Sequence, residues 1–220
     1  MAKLRDPLSG LTHCIAAGLS LIGLVILIVF ASIWGNAYHI VSFTIFGTAL
    51  VLLYLFSTLY HWLNISEKGI SVFRKFDHIM IYILIAASYT PICLVPLRGP
   101  WGWTIFGIVW GFALLGTILS AVWIKAPRGI TTAIYLFMGW TVIIAMYPLL
   151  IAFRNAGLLY SLWWLVAGGV FYTIGGILYG FKLPKKSFKG WGFHEIFHVC
   201  VILGSACHYW FILHYVLMFQ

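Results

Sequence analysis

Acidic side chains are almost missing from this sequence: Asp and Glu together number 4 in 220 residues, and all charged residues amount to 8%. A water-soluble domain carries about a quarter of its residues charged, so a soluble globular protein is excluded. Polar linkers are missing too. No Ser-, Gln- or Pro-rich stretch and no repeat divides the chain, which reads as one domain over 1–220. The 4 cysteines, Cys14, Cys93, Cys200 and Cys207, fall in or at apolar runs rather than in loops, so they read as free buried thiols instead of a disulfide framework. The short alternating segments of a spanning β-barrel are absent as well.

What remains is apolar: 63% of residues, with a mean hydropathy of +1.05. Runs near the ~20 residues that cross a bilayer lie at about 10–34, 38–62, 77–97, 101–124, 130–153, 158–181 and 193–219. Continuous runs of this kind satisfy their backbone in lipid as helices. The expected fold is therefore an all-α integral membrane protein, a bundle of seven transmembrane helices.

The net charge of +9 is explained by topology. If successive connections alternate sides, Lys3, Arg5, Lys68, Arg74, Lys75, Lys125, Arg128, Lys182, Lys185, Lys186 and Lys189 share the N-terminal side, leaving Arg98 and Arg154 opposite. The positive-inside rule makes the first side cytoplasmic and puts the C-terminus outside. The charge is thus no nucleic-acid footprint. The first run follows Lys3 and Arg5 as a signal peptide would, yet it is too long and lacks a small-x-small exit, so it reads as an uncleaved span. The expected location is the inner (plasma) membrane, multi-pass.

Ionisable groups inside spans are costly and mark functional sites with partners. Asp6 and Glu67 fall in flanks or loops, leaving Asp77 and Glu195 at the starts of the third and seventh runs. The second run ends on Ser57, Tyr60 and His61, and the seventh opens "HEIFH" with His194 and His198. Helix directions bring His61, Asp77, His194 and His198 to one layer just inside the cytoplasmic boundary. At about 100° per residue, His194 and His198 lie roughly 40° apart on one stripe, continued by Ser205 and His208. Tyr54, Ser57 and His61 share another.

Three imidazoles with room for an oxygen ligand describe a catalytic-type zinc site, with copper or iron left open. Asp77 has two readings, as the carboxylate that deprotonates a water there or as a first-turn group complementing the helix dipole. Ser57 is either a hydrogen-bonding neighbour of the site or a packing serine. Glu195 points about 100° away from His194 and is expected to pair with Lys189 or cap its helix. His13 and His208 read as interior polar contacts. His78 reads as packing off the Asp77 face, and His39 and His214 as outer-boundary residues.

These segments carry a resemblance. "SxxYH" at 57–61, "FDHIMIYILIAASYTP" at 76–91, "HEIFHVCVILGSACHY" at 194–209 and "THCIAAG" at 12–18 resemble the bacterial hemolysin III family, the prokaryotic branch of the progestin and adipoQ receptors that includes the adiponectin receptors. The likeness spans all seven runs. It implies a seven-helix protein with a cytoplasmic N-terminus and a zinc held by residues matching His61, His194 and His198. It further implies that Asp77 holds the zinc-bound water and that Ser57 stands beside the site. Adiponectin receptors and the more distantly similar alkaline ceramidases are linked to hydrolysis of the ceramide amide. Glu195 stands where the receptors have Gln, and their long N-terminal extension has no counterpart, so a protein-hormone ligand is not expected.

The expected function is a zinc-dependent hydrolase of lipid amide or ester bonds, acting on a ceramide-like or other acyl lipid of the membrane. The alternatives are a non-enzymatic sensor of membrane state with structural zinc, or a cytolytic (hemolysin) activity. A pore needs polar stripes through the full depth, and the outer half has few.

Overall fold

The computed structural model describes residues 4–123, 126–188 and 190–219. Lys3, Lys125 and Lys189 lie outside them. The regular elements among the described residues are all helices, apart from one isolated bridge between Phe188 and Trp191, and seven helical segments are long and apolar enough to cross a membrane. The helices are α1 (Pro7–Trp34), α2 (Ala37–Trp62), α3 (Glu67–Leu94), α4 (Pro100–Val122), α5 (Arg128–Gly139), α6 (Met146–Asn155), α7 (Leu162–Phe181) and α8 (Phe193–His214). A 3₁₀ stretch, Trp140–Ala145, joins α5 to α6, and the three together form the fifth span.

Local chemistry sets the helix starts. Pro7 and Pro100 open α1 and α4, where a missing N–H costs nothing. Asn36 caps α2 by accepting from the Tyr38 N–H, while His39 Nδ1 accepts from the Asn36 N–H. His39 is fully buried, and its Nε2 donates to the Val216 carbonyl at 3.3 Å. It ties α2 to the end of the chain, a role that its boundary position alone does not suggest.

The third helix corrects an expectation. It begins at Glu67, ten residues before the apolar run, because Ser66 accepts from the Gly69 N–H and Glu67 favours the first turn. Lys68, Arg74 and Lys75 hide this stretch from an apolar-run criterion. Asp77 therefore sits in the body of α3, and the first-turn dipole reading does not apply to it.

The fifth span breaks at membrane depth, where freed backbone groups need partners. Tyr89 of α3 supplies one: its hydroxyl donates to the carbonyls of Met138 and Gly139, nearer to the second, and accepts from the Val142 N–H at 2.9 Å.

In the bundle α1 packs on α2, α2 on α3, α3 on α4 and α7 on α8, while α8 also meets α1. The buried core includes Phe43, Phe46, Leu50, Tyr82, Val109, Leu149 and Phe211, whereas Leu19, Ile22, Leu115 and Trp163 face outward, as lipid-facing residues do. Two glycines let α7 and α8 interlock. A Cβ on Gly168 would come within 2.3 Å of the His208 ring, and one on Gly204 within 2.9 Å of the Tyr172 ring. Each helix gives up a side chain where the other inserts a polar ring.

Candidate metal centre

The C-terminal end of α2 delivers His61, and the first two turns of α8 deliver His194 and His198 at i and i+4. Their ligand-capable atoms lie within 4.8 Å of one another, with His61 and His198 buried and His194 half-buried. Helices α2 and α8 are far apart in sequence, and the start of α1 with its N-cap Asp6 orients two of the three rings, His61 and His198.

His61 Nδ1 lies 3.2 Å from the Asp6 carboxylate. A carboxylate acceptor puts the proton on Nδ1 and leaves Nε2 as a lone pair. His198 Nδ1 lies 3.2 Å from both the Ser9 carbonyl and the Thr12 hydroxyl. A carbonyl only accepts, so His198 also donates through Nδ1 and keeps Nε2 free. His61 Nε2 and His194 Nε2 are 3.0 Å apart. That separation suits a hydrogen bond, and it is also close to the ~3.3 Å between two imidazoles on one tetrahedral ion. The donor set fits a metal ion that prefers imidazole, with the His61 and His198 rings held from behind, and disfavours magnesium or calcium.

Asp6, Ser9 and Thr12 were not among the residues singled out from sequence. Their signal was available: Asp6, Ser9 and His13 recur at spacings of three and four, which makes one polar helical stripe.

His13 stacks on His198, ring centroids 3.6 Å apart and planes within 9°, with Tyr54 edge-on at 5.0 Å. Both His13 nitrogens are buried without a hydrogen-bond partner among the described residues. Its expected interior contact is thus a ring stack rather than a polar bond. Ser57 Oγ is likewise buried and without a partner among the described residues.

Glu195 is occupied. It accepts from the Gly192 N–H at 2.8 Å, capping α8, and from the Ser9 hydroxyl at 2.6 Å. The helix-capping expectation holds, while the pairing with Lys189 lies outside the described residues.

A cavity of about 180 Å³ runs from this centre toward mid-membrane. His13, Ser57, Asp77, His194 and His198 line it, and His208 lies further along, while His61 stands behind them against Asp6. His78 also lines the cavity, contrary to its reading as a residue turned off the Asp77 face. Asp77 is half-buried and makes no hydrogen bond or ion pair among the described residues. The walls beyond are apolar, including Ile81, Ile85, Leu136 and Val201.

Comparison with known proteins decides the family. The profile described as Haemolysin-III related matches residues 1–209. The chain belongs to the hemolysin III family. It is 40% identical over 210 residues to Hemolysin-3 of Bacillus cereus, covering 95% of this chain and 90% of that protein. It is 42% identical over 207 residues to the Hemolysin-3 homolog of Bacillus subtilis, covering 94% and 92%. A weaker likeness, 29% over 165 residues, reaches the ADIPOR-like receptor IZH2 of Saccharomyces cerevisiae, covering 67% of this chain and 49% of that one. This hemolysin III member thus stands on the prokaryotic side of the adiponectin-receptor-like superfamily, as a multi-pass protein of the bacterial plasma membrane.

Proposed function

We propose that this hemolysin III protein is a zinc-dependent hydrolase of amide or ester bonds in membrane lipids, a ceramide-like or other acyl lipid being the substrate. One observation carries the reading: three imidazoles with converging ligand atoms stand at the head of an apolar cavity that also holds an unpaired carboxylate and an unpaired hydroxyl. His61, His194 and His198 would hold the zinc. When bound, it supplies Lewis acidity and makes water a stronger acid near neutral pH.

The chain's own residues do the rest. Asp77 takes a proton from the attacking water as the new O–C bond forms, and returns it to the amine or alcohol as the scissile bond breaks. Ser57 donates to the oxygen on which charge develops. The apolar walls take the acyl chain and exclude bulk water. The basic residues gathered on the N-terminal side support a cytoplasmic position for this chemistry. The Hemolysin-3 name of the Bacillus relatives is compatible with membrane damage that follows lipid turnover.

Metal analysis beside untargeted lipidomics tests the reading. His194→Ala is expected to lose zinc. Asp77→Asn is expected to keep zinc and lose turnover by about 10²-fold or more. Undiminished turnover in Asp77→Asn removes that role, and an unchanged lipid profile in every variant leaves the histidines as a structural tie.

A further inference from the structure

The cavity has a second polar end that the hydrolytic chemistry leaves unused. Tyr172 of α7 and His208 of α8 line it, with ring centroids 5.3 Å apart. Behind them Ser205 is buried between two phenols: the Tyr54 hydroxyl donates to Ser205 Oγ at 2.8 Å, and Tyr172 Oη lies 2.9 Å from the same atom.

Counting protons gives this cluster a direction. Serines and threonines elsewhere in the bundle, such as Thr58, Ser88, Thr90 and Thr173, donate back to a carbonyl of their own helix. Ser205 does not, so Tyr172 is the acceptor its proton has among the described residues. A relay from Tyr54 through Ser205 to Tyr172 satisfies both buried groups and leaves the Tyr172 O–H without an internal acceptor. His208 complements it. Its Nε2 faces the Leu165 carbonyl at 3.4 Å and so carries the proton, which makes Nδ1 a lone pair with no protein partner. Gly168 and Gly204 admit these two rings by giving up their own side chains. One free donor and one free acceptor, side by side on an apolar wall, match a hydroxyl group, which both accepts and donates.

We propose that Tyr172 and His208 form a subsite for a hydroxyl carried midway along a lipid acyl chain. The proposal rests on the reading that the cavity takes such a chain. Ser205 and His208 lie seven and ten residues beyond His198, about 10–15 Å further along α8 or roughly eight to twelve carbons of an extended chain. The subsite would select chains hydroxylated there over plain ones.

Binding of free acids tests this apart from turnover, since a free acid contains no bond to hydrolyse. The probes are octadecanoic acid and its analogues with a hydroxyl on the tenth or the second carbon, competed against a fluorescent fatty acid on the purified full chain in nanodiscs. The tenth-carbon analogue is expected to bind wild type roughly three- to tenfold tighter than octadecanoic acid. That advantage is expected to vanish in Tyr172→Phe and His208→Leu, while octadecanoic acid itself, the check on folding, binds both variants as before. The second-carbon analogue is expected to be insensitive to either substitution. Equal affinity of the plain and tenth-carbon acids for wild type, or an advantage that survives both substitutions, overturns the subsite and leaves the hydrolase reading standing. Failure of every acid to bind wild type removes the acyl-chain cavity and the subsite with it.

Discussion

The imidazole of His13 lies flat on that of His198, 3.6 Å between centroids, with neither of its nitrogens hydrogen-bonded. The first span thereby supports the His198 ring twice, by a hydrogen bond at its edge to Ser9 and Thr12 and by this surface contact on its face.

This contact separates shape from polarity. A stacked ring pair is worth about 0.5–1.5 kcal/mol beyond its buried area, so His13→Ala is expected to weaken metal binding by roughly two- to tenfold. His13→Phe keeps the stack and removes two unpaired buried nitrogens, which cost about 1–3 kcal/mol when left unsatisfied. It is expected to hold metal as wild type does and to melt at a higher temperature. Chelator competition and thermal melts of both variants check this, and equal metal loss in Ala and Phe would show that the nitrogens matter.

Asp6 acts on the centre through His61. Groups in this outer position change metal affinity by about 10–100-fold when removed. Asp6→Asn is expected to fall in that range, read by competition with a calibrated zinc chelator. The Asp6 side chain is 46% exposed, so the melting temperature of metal-free protein is expected to stay nearly unchanged. A large drop in stability without metal would make Asp6 a folding residue instead.

The interlock of α7 and α8 predicts a coupled pair. Gly168→Ala drives a methyl into the His208 ring and is expected to destabilise the bundle by about 1–3 kcal/mol. In a His208→Ala background the same change should cost little, which gives a coupling energy in a double-mutant cycle. Additive losses would mean that the clash is relieved elsewhere.

The spans were legible because lipid demands long apolar helices, and such runs stand out whatever they pack against. The start of α3 was not legible by that criterion, since 67–76 is a charged helical extension held by the Ser66 cap. Among site residues, His61, His194 and His198 could be found from shared depth and helical spacing. Asp6 reads as a flank residue and Ser9 and Thr12 carry no site reading, because nothing local to them announces partners on α2 and α8. The buried tether made by His39 was hidden for the same reason: its acceptor, Val216, lies 177 positions away.

The bond between Ser9 and Glu195 joins groups 186 positions apart. During synthesis the first helix enters the bilayer long before its mate is made. Until then Ser9, Thr12 and His13 lack their α8 partners. The three-imidazole cluster therefore cannot form before the last span is in place. A nascent chain arrested before residue 193 would hold six of the seven spans and one of the three clustered imidazoles, His61.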